Sequence, residues 1–206
     1  SMPFPFVKSA GLQWQGAVGT TISDQRRILD QFAGLPQADE VKRGGFLDFR
    51  EFGSGAFGMA QTYLFTPKAK KIRAWIGFES PARSNRQSGG TPPLGQWTAF
   101  GAEIWVSGAK VEAPMWKKPN TRQHLKPTWS HPAAEDPYED EEFYWTRDPA
   151  EIALKQGWNR VLVRVPKGYP EQRWTFAFVP VKMGVGGRWV EDESVQPALR
   201  PKAGAP

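Results

Sequence analysis

The sequence predicts an all-β chain: two packed antiparallel sheets forming a β-sandwich, with at most one or two short helices. Three observations carry that expectation. Gly at 21 positions and Pro at 19 supply many turns. Aromatic residues make up 13% of the chain, ten of them Trp, and flat bulky side chains favour pleated, half-buried surfaces. Short segments between Phe46 and Val181 alternate apolar and polar residues with the period of a strand.

At 206 residues the chain suits one sandwich with a single core. Ser1-Met2 reads as an expression scar, residues 3–194 as the domain (its N-terminal segment 3–43 packing on it) and residues 195–206 as a flexible tail rich in Pro, Ala and Gly. Thr21 to Ala33 is the clearest helical candidate. Ile22, Ile28, Leu29 and Phe32 share a face, Ser23 can cap it, and Gly34 with Pro36 stops it.

From Phe46 the pattern is of strands, beginning with an aromatic-rich one through Leu47, Phe49 and Phe52. Ala60 to Thr66 alternates, and Pro67-Lys68 turns it into Lys71 to Phe78, a succession that implies a hairpin. In the second of these, Ile72, Ala74, Ile76 and Phe78 share one side and Trp75 lies on the other. A long loop from Glu79 to Gln96 follows. Gly101 to Ser107 is a strand returned at Ser107-Gly108 to a short strand ending at Val111. The segment from Pro114 to Thr146 is irregular and Pro-rich. Ala150 to Leu154 is expected to pair across Gln156-Gly157 with Trp158 to Val165. Gln172 to Val181 and Gly186 to Val190 close the set, the glycines at 184, 186 and 187 forming the turn between them.

Several function classes are excluded or disfavoured by composition. The net charge of +6 is dispersed among acids, with no block of five or six Lys or Arg, so nucleic acid is not the expected partner. No apolar run approaches the roughly 20 residues that span a bilayer. With no Cys, disulfides and thiolate metal sites are unavailable. His124 and His131 stand without a cluster, which argues against zinc. The acidic stretch Glu135, Asp136, Glu139, Asp140, Glu141 and Glu142 has the oxygen chemistry for Ca²⁺ but not the spacing of a calcium loop, so no cofactor is expected.

Three pieces of the chain together carry a resemblance: TPPLGQW at 91–97 followed by GAEIWVSG at 101–108; Pro114 and Trp116; and IALKQGWNRVLVRVP at 152–166 followed by RWTFAFV. In this order they resemble the C-terminal β-sandwich domain of bacterial family 20 β-N-acetylhexosaminidases. The likeness spans roughly residues 44–181 and departs from the family pattern between Lys117 and Trp145. The Gly-Trp-Asn element is shared more widely among jelly-roll, galactose-binding-like modules, so it speaks to architecture more than to substrate.

The resemblance implies a non-catalytic accessory domain that binds an N-acetylhexosamine-containing glycan or buttresses a catalytic barrel of the same polypeptide, in the periplasm, at the cell surface or secreted. The family's catalytic Asp-Glu pair sits on that separate barrel. Glu135-Asp136 and Asp140-Glu141 are adjacent acids here, but they lie in an irregular segment, so no catalytic residue is expected in this chain.

For a sugar site, an indole face can stack on a pyranose, worth about 1–3 kcal/mol by analogy with base stacking. The candidates are Trp97, Trp116, Trp129 and Trp145, with Arg83, Asn85, Arg86 and Gln96 for the hydroxyls. The competing expectation is that each loop Trp packs locally and that the Arg residues pair with Glu79 or Glu103. Trp105 and Trp158, inside strong strands, are expected in the core. A stand-alone protein-interaction or adhesion sandwich is the alternative from another class.

Overall fold

A computed structural model describes residues 12–19, 41–43, 46–78, 95–98, 101–114, 148–167 and 174–199. The strands in chain order are β1 (Gln13–Gly19), β2 (Val41–Arg43), β3 (Phe46–Asp48), β4 (Phe57–Thr66), β5 (Lys70–Gly77), β6 (Glu103–Val106), β7 (Ala109–Lys110), β8 (Ala150–Leu154), β9 (Gly157–Pro166), β10 (Thr175–Met183), β11 (Trp189–Glu191) and β12 (Gln196–Ala198). They form two antiparallel sheets. The seven-stranded sheet runs β2-β1-β4-β9-β6-β7, with β12 also on β4; the five-stranded sheet runs β11-β10-β5-β8, with β3 also on β10. The expected two-sheet, all-β sandwich is what the chain adopts.

Between the sheets lies one continuous core. Trp14, Ile104, Val161 and Val163 enter it from the larger sheet and Ile72, Ala74, Ile76, Phe176 and Phe178 from the smaller. Trp14 meets Phe176 edge-on, with ring centroids 5.3 Å apart. Phe78 touches both Phe176 at 5.2 Å and Trp97 at 5.8 Å. Each buried Phe contributes about 1.5–3 kcal/mol over exposure, and such ring pairs add about 0.5–1.5 kcal/mol. Gly58 is demanded by this packing, because a Cβ there would stand 2.3 Å from the Phe49 ring.

Two expected hairpins are instead arches that cross between the sheets. β4 and β5 lie in different sheets, and so do β8 and β9; β4 pairs along its length with β9, and β5 with β8. The two arches therefore nest, one beside the other. Side chains at the bends explain the crossing. The Thr66 hydroxyl donates to the Lys68 carbonyl at 2.8 Å, fixing the first bend. In the second bend Gly157 takes φ +89, and Asn159 is completely buried. Its Oδ1 accepts from the Lys155 amide at 2.8 Å and from the Ser107 hydroxyl at 2.8 Å. Its Nδ2 donates to the carbonyls of Lys155 at 2.8 Å and Gly157 at 3.1 Å. One amide thus ties the arch to the β6–β7 turn, where Ser107 and Gly108 both take positive φ, as a tight hairpin with a two-residue loop requires.

Two other expectations are corrected. The aromatic segment from Phe46 is a strand only to Asp48; Phe49–Phe52 form a 3-10 turn capped by the Asp48 carboxylate, which accepts from the Arg50 amide. Part of the expected flexible tail is ordered, since β12 pairs with β4 and the Thr62 hydroxyl donates to the Ala198 carbonyl. Pro197 is tolerated because β12 is short and lies at the sheet margin. Within the smaller sheet β5 lies between β8 and β10. The β10–β11 hairpin forms as expected around the glycines at 184–187, Gly186 and Gly187 taking positive φ. The helical candidate at residues 21–33 lies outside the described residues.

Candidate functional site

The pleat of β4 and β9 sends alternate side chains away from the core, and these build the outer face of the seven-stranded sheet. On β4 they are Phe57, Met59, Gln61, Tyr63 and Phe65, opposite the core residues Ala60 and Leu64. On β9 they are Trp158, Arg160, Leu162 and Arg164, opposite Val161, Val163 and Val165. The register sets them in rows. Phe65 faces Trp158, Tyr63 faces Arg160, and Gln61 faces Leu162. The Gln61 row continues to Trp105 on β6 and to Gln15 on β1.

Polar and aromatic groups on this face are organised by hydrogen bonds and stacking. Arg160 Nε donates to Gln61 Oε1 at 2.8 Å, and Gln61 Nε2 donates to Gln15 Oε1 at 3.0 Å, a chain across three strands. The rings of Phe65 and Trp158 lie 5.2 Å apart. The Arg164 guanidinium sits over the Phe57 ring, 5.2 Å from its centroid. Tyr63, Phe65, Trp105, Trp158, Arg160 and Arg164 are all half-buried, whereas Phe57, Met59 and Leu162 between them are fully packed. Trp105 Nε1, Trp158 Nε1 and Arg164 Nε are buried and donate to nothing. A buried donor without an acceptor costs about 1–3 kcal/mol, so the face holds unused hydrogen-bonding capacity beside aromatic surface.

Of the residues expected to bind sugar, Trp97 is placed elsewhere. It is 1% exposed, its Nε1 donates to the Val111 carbonyl at 2.9 Å, and its ring packs on Phe78. A ring enclosed on both faces cannot stack on a pyranose, so Trp97 is a core residue. Gln96, its neighbour, is exposed. Arg83, Asn85, Arg86, Trp116, Trp129 and Trp145 lie outside the described residues, as do His124, His131 and the acids from Glu135 to Glu142. Among the described residues no group of three His, Asp or Glu is placed to hold a metal ion. None of their helices is long and apolar enough to cross a membrane.

Trp105 and Trp158 are corrected in the opposite sense. Expected in the core, both lie half-buried on the outer face, because the alternation that turns Ile104 and Val161 inward turns these rings outward. The same alternation in the sequence turns Gln61, Tyr63, Phe65 and Arg160 outward, in strands and not in the loops where the sugar-binding candidates lie. Trp75 behaves differently: it lies on the outer side of the smaller sheet, packed with Ala177, Val179 and Val181.

A shallow concavity, with room of about 30 Å³, lies where β10 and β12 approach. Leu64, Pro180 and Pro197 line it together with Glu191, Asp192 and Glu193, and it offers no aromatic ring. The Lys71–Glu151–Arg73 cluster on β5 and β8 is exposed; the hydrogen bond and charge of Lys71, 2.7 Å away, lower the Glu151 pKa, with a smaller contribution from Arg73. Neither feature supplies the pairing of stacking surface with directed donors found on the outer face. No protein-family model, no curated protein and no solved structure matches the chain.

Proposed function

We propose that this chain is a non-catalytic accessory sandwich of a β-N-acetylhexosaminidase-type glycoside hydrolase, and that it binds glycan on the outer face of its seven-stranded sheet. The observation that carries this is the juxtaposition, on adjacent rows of β4 and β9, of the Phe65–Trp158 ring pair with Tyr63 and Arg160. Sugar recognition needs flat apolar surface for the C–H face of a pyranose and planar polar groups at its edge. The Arg160–Gln61–Gln15 chain holds such groups in fixed orientation, which lowers the entropy lost on binding. The resemblance of the Gly157-Trp158-Asn159 and TPPLGQW segments to the hexosaminidase accessory domain supplies the substrate class, N-acetylhexosamine glycan. An extracytoplasmic location, periplasmic, surface or secreted, follows from that substrate.

Affinity is expected in the range of about 10⁻⁴ to 10⁻³ M, since one ring platform and a few solvent-facing hydrogen bonds leave roughly 4–5 kcal/mol after association costs. Titrating N-acetylglucosamine oligomers while following Trp fluorescence tests the assignment. Saturable quenching that is lost in Tyr63→Ala and Trp158→Ala supports it. Equal binding by the double variant moves the site elsewhere.

One observation favours the buttress role as well. Met183, Val185 and Val190 are the exposed large hydrophobic residues among those described, and all three sit on the β10–β11 hairpin. An apolar tip of this kind suits contact with a neighbouring folded domain, and it lies on the other sheet, so it does not compete with the glycan face. Replacing all three by Ser should leave glycan binding intact while loosening any association with a separately produced catalytic barrel.

A further inference from the structure

We infer that the glycan recognised by this face is acidic, and that Arg164 receives its carboxylate or sulfate. This rests on the outer face being the glycan site. The polar groups there divide unevenly. The amide and carboxylate acceptors are engaged: Gln61 Oε1 accepts from Arg160, Gln15 Oε1 from Gln61, and the Glu103 carboxylate pairs with Lys110 at 3.2 Å, while the Tyr63 hydroxyl stands four positions along β4 from Met59, the residue opposite Arg164. The groups left over are donors, namely the Nε1 atoms of Trp105 and Trp158 and the Nε of Arg164.

Arg164 is the unusual member. It stands opposite Glu103 in the β6–β9 register, yet that carboxylate turns to Lys110, and among the described residues the Arg164 guanidinium makes no ion pair. The Phe57 ring lies beneath it, and among the described residues no carboxylate compensates the half-buried cation. A partly desolvated guanidinium gains most from an anion, because the attraction grows as water is excluded and planar oxygens match its fork. A neutral hydroxyl also accepts, but it brings a proton that needs an acceptor of its own, and this face has few to give. A carboxylate or sulfate brings acceptors and charge only. Compensation does not depend on contact at Nε; an anion at any guanidinium nitrogen serves.

The experiment compares three probes on the intact chain: chitotetraose, a hyaluronan tetrasaccharide carrying carboxylates, and a 6-sulfated N-acetylglucosamine oligosaccharide. The expected result is at least about tenfold tighter binding of one or both acidic probes than of the neutral one. That preference, read as the ratio of acidic to neutral affinity, should shrink with added salt, persist in part in Arg164→Lys, and vanish in Arg164→Gln. Because Arg164→Gln could disturb packing on Phe57, its melting midpoint is compared with that of Arg164→Lys, and the charge-retaining variant then decides. Equal affinity for neutral and acidic probes overturns the acidic assignment and leaves the glycan reading standing. Binding of none of the three overturns both.

Discussion

The outer faces of the two sheets begin from the same alternation and end differently. On the five-stranded sheet, Trp75, Ala177, Val179 and Val181 form an apolar, buried cluster with Trp189 at its margin. β10 is consequently buried on both sides, every residue from Thr175 to Val181, as a strand in an interior layer reads. On the seven-stranded sheet the outward residues are mixed, with Gln61, Tyr63, Arg160 and Arg164 set among rings. A face that is wholly apolar can only be covered; one that mixes rings with oriented donors can also discriminate between ligands.

The largest test of this contrast is Trp75→Ala. Removing a packed indole from the apolar face should cost about 3–5 kcal/mol, measured by denaturant unfolding, and a loss below about 1 kcal/mol would erase the difference between the faces. Trp158→Ala, on the mixed face, removes a half-buried ring whose Nε1 was already unsatisfied. It should cost only about 1–2 kcal/mol, with its main effect on glycan affinity. Glu151→Gln sharpens the comparison from outside both faces. The lowered pKa of Glu151 means that its contribution is present above the carboxyl's ordinary value of 4.5 and is lost as pH falls through the depressed one. The variant should therefore match the parent in melting midpoint at acid pH below that value and fall slightly short of it at pH 7, and high salt should remove the shortfall.

Sequence pattern reached the strands but not their partners. The alternation in Ile72, Ala74, Ile76 and in Val161, Val163, Val165 places these residues in the core. Where β4 and β5 arch across the core, a Thr66 hydroxyl holds the bend, and an Asn159 amide holds that of β8 and β9. Asn159 draws on groups as distant as the Leu64 carbonyl, 95 positions away, and no local pattern encodes such a contact. Trp97 illustrates the same limit: its place between loop segments suggested exposure, while the Val111 carbonyl that satisfies its indole comes from the far side of the β6–β7 hairpin. For Trp105 and Trp158 the information was present in the period itself, and the general tendency of indoles toward cores was the weaker guide. Of the residues first favoured for sugar binding, Gln96 remains exposed and Trp97 is enclosed.

The nested arches give the chain an unusual order of assembly. β4 with β5, and β8 with β9, are each contiguous in sequence, yet neither pair shares a ladder, so neither can form first as a self-supporting unit. Each arch becomes a surface for the other only when both are present, and the chain between them must close before the β4–β9 or β5–β8 ladder gains a bond. Folding should accordingly be slow, in the millisecond-to-second range of sandwiches dominated by distant pairings. The same geometry makes the arches complementary halves: cut between β5 and β8, the chain yields two fragments that lack the β4–β9 and β5–β8 ladders and regain them only when mixed, which far-UV circular dichroism of the mixture against the sum of the parts measures.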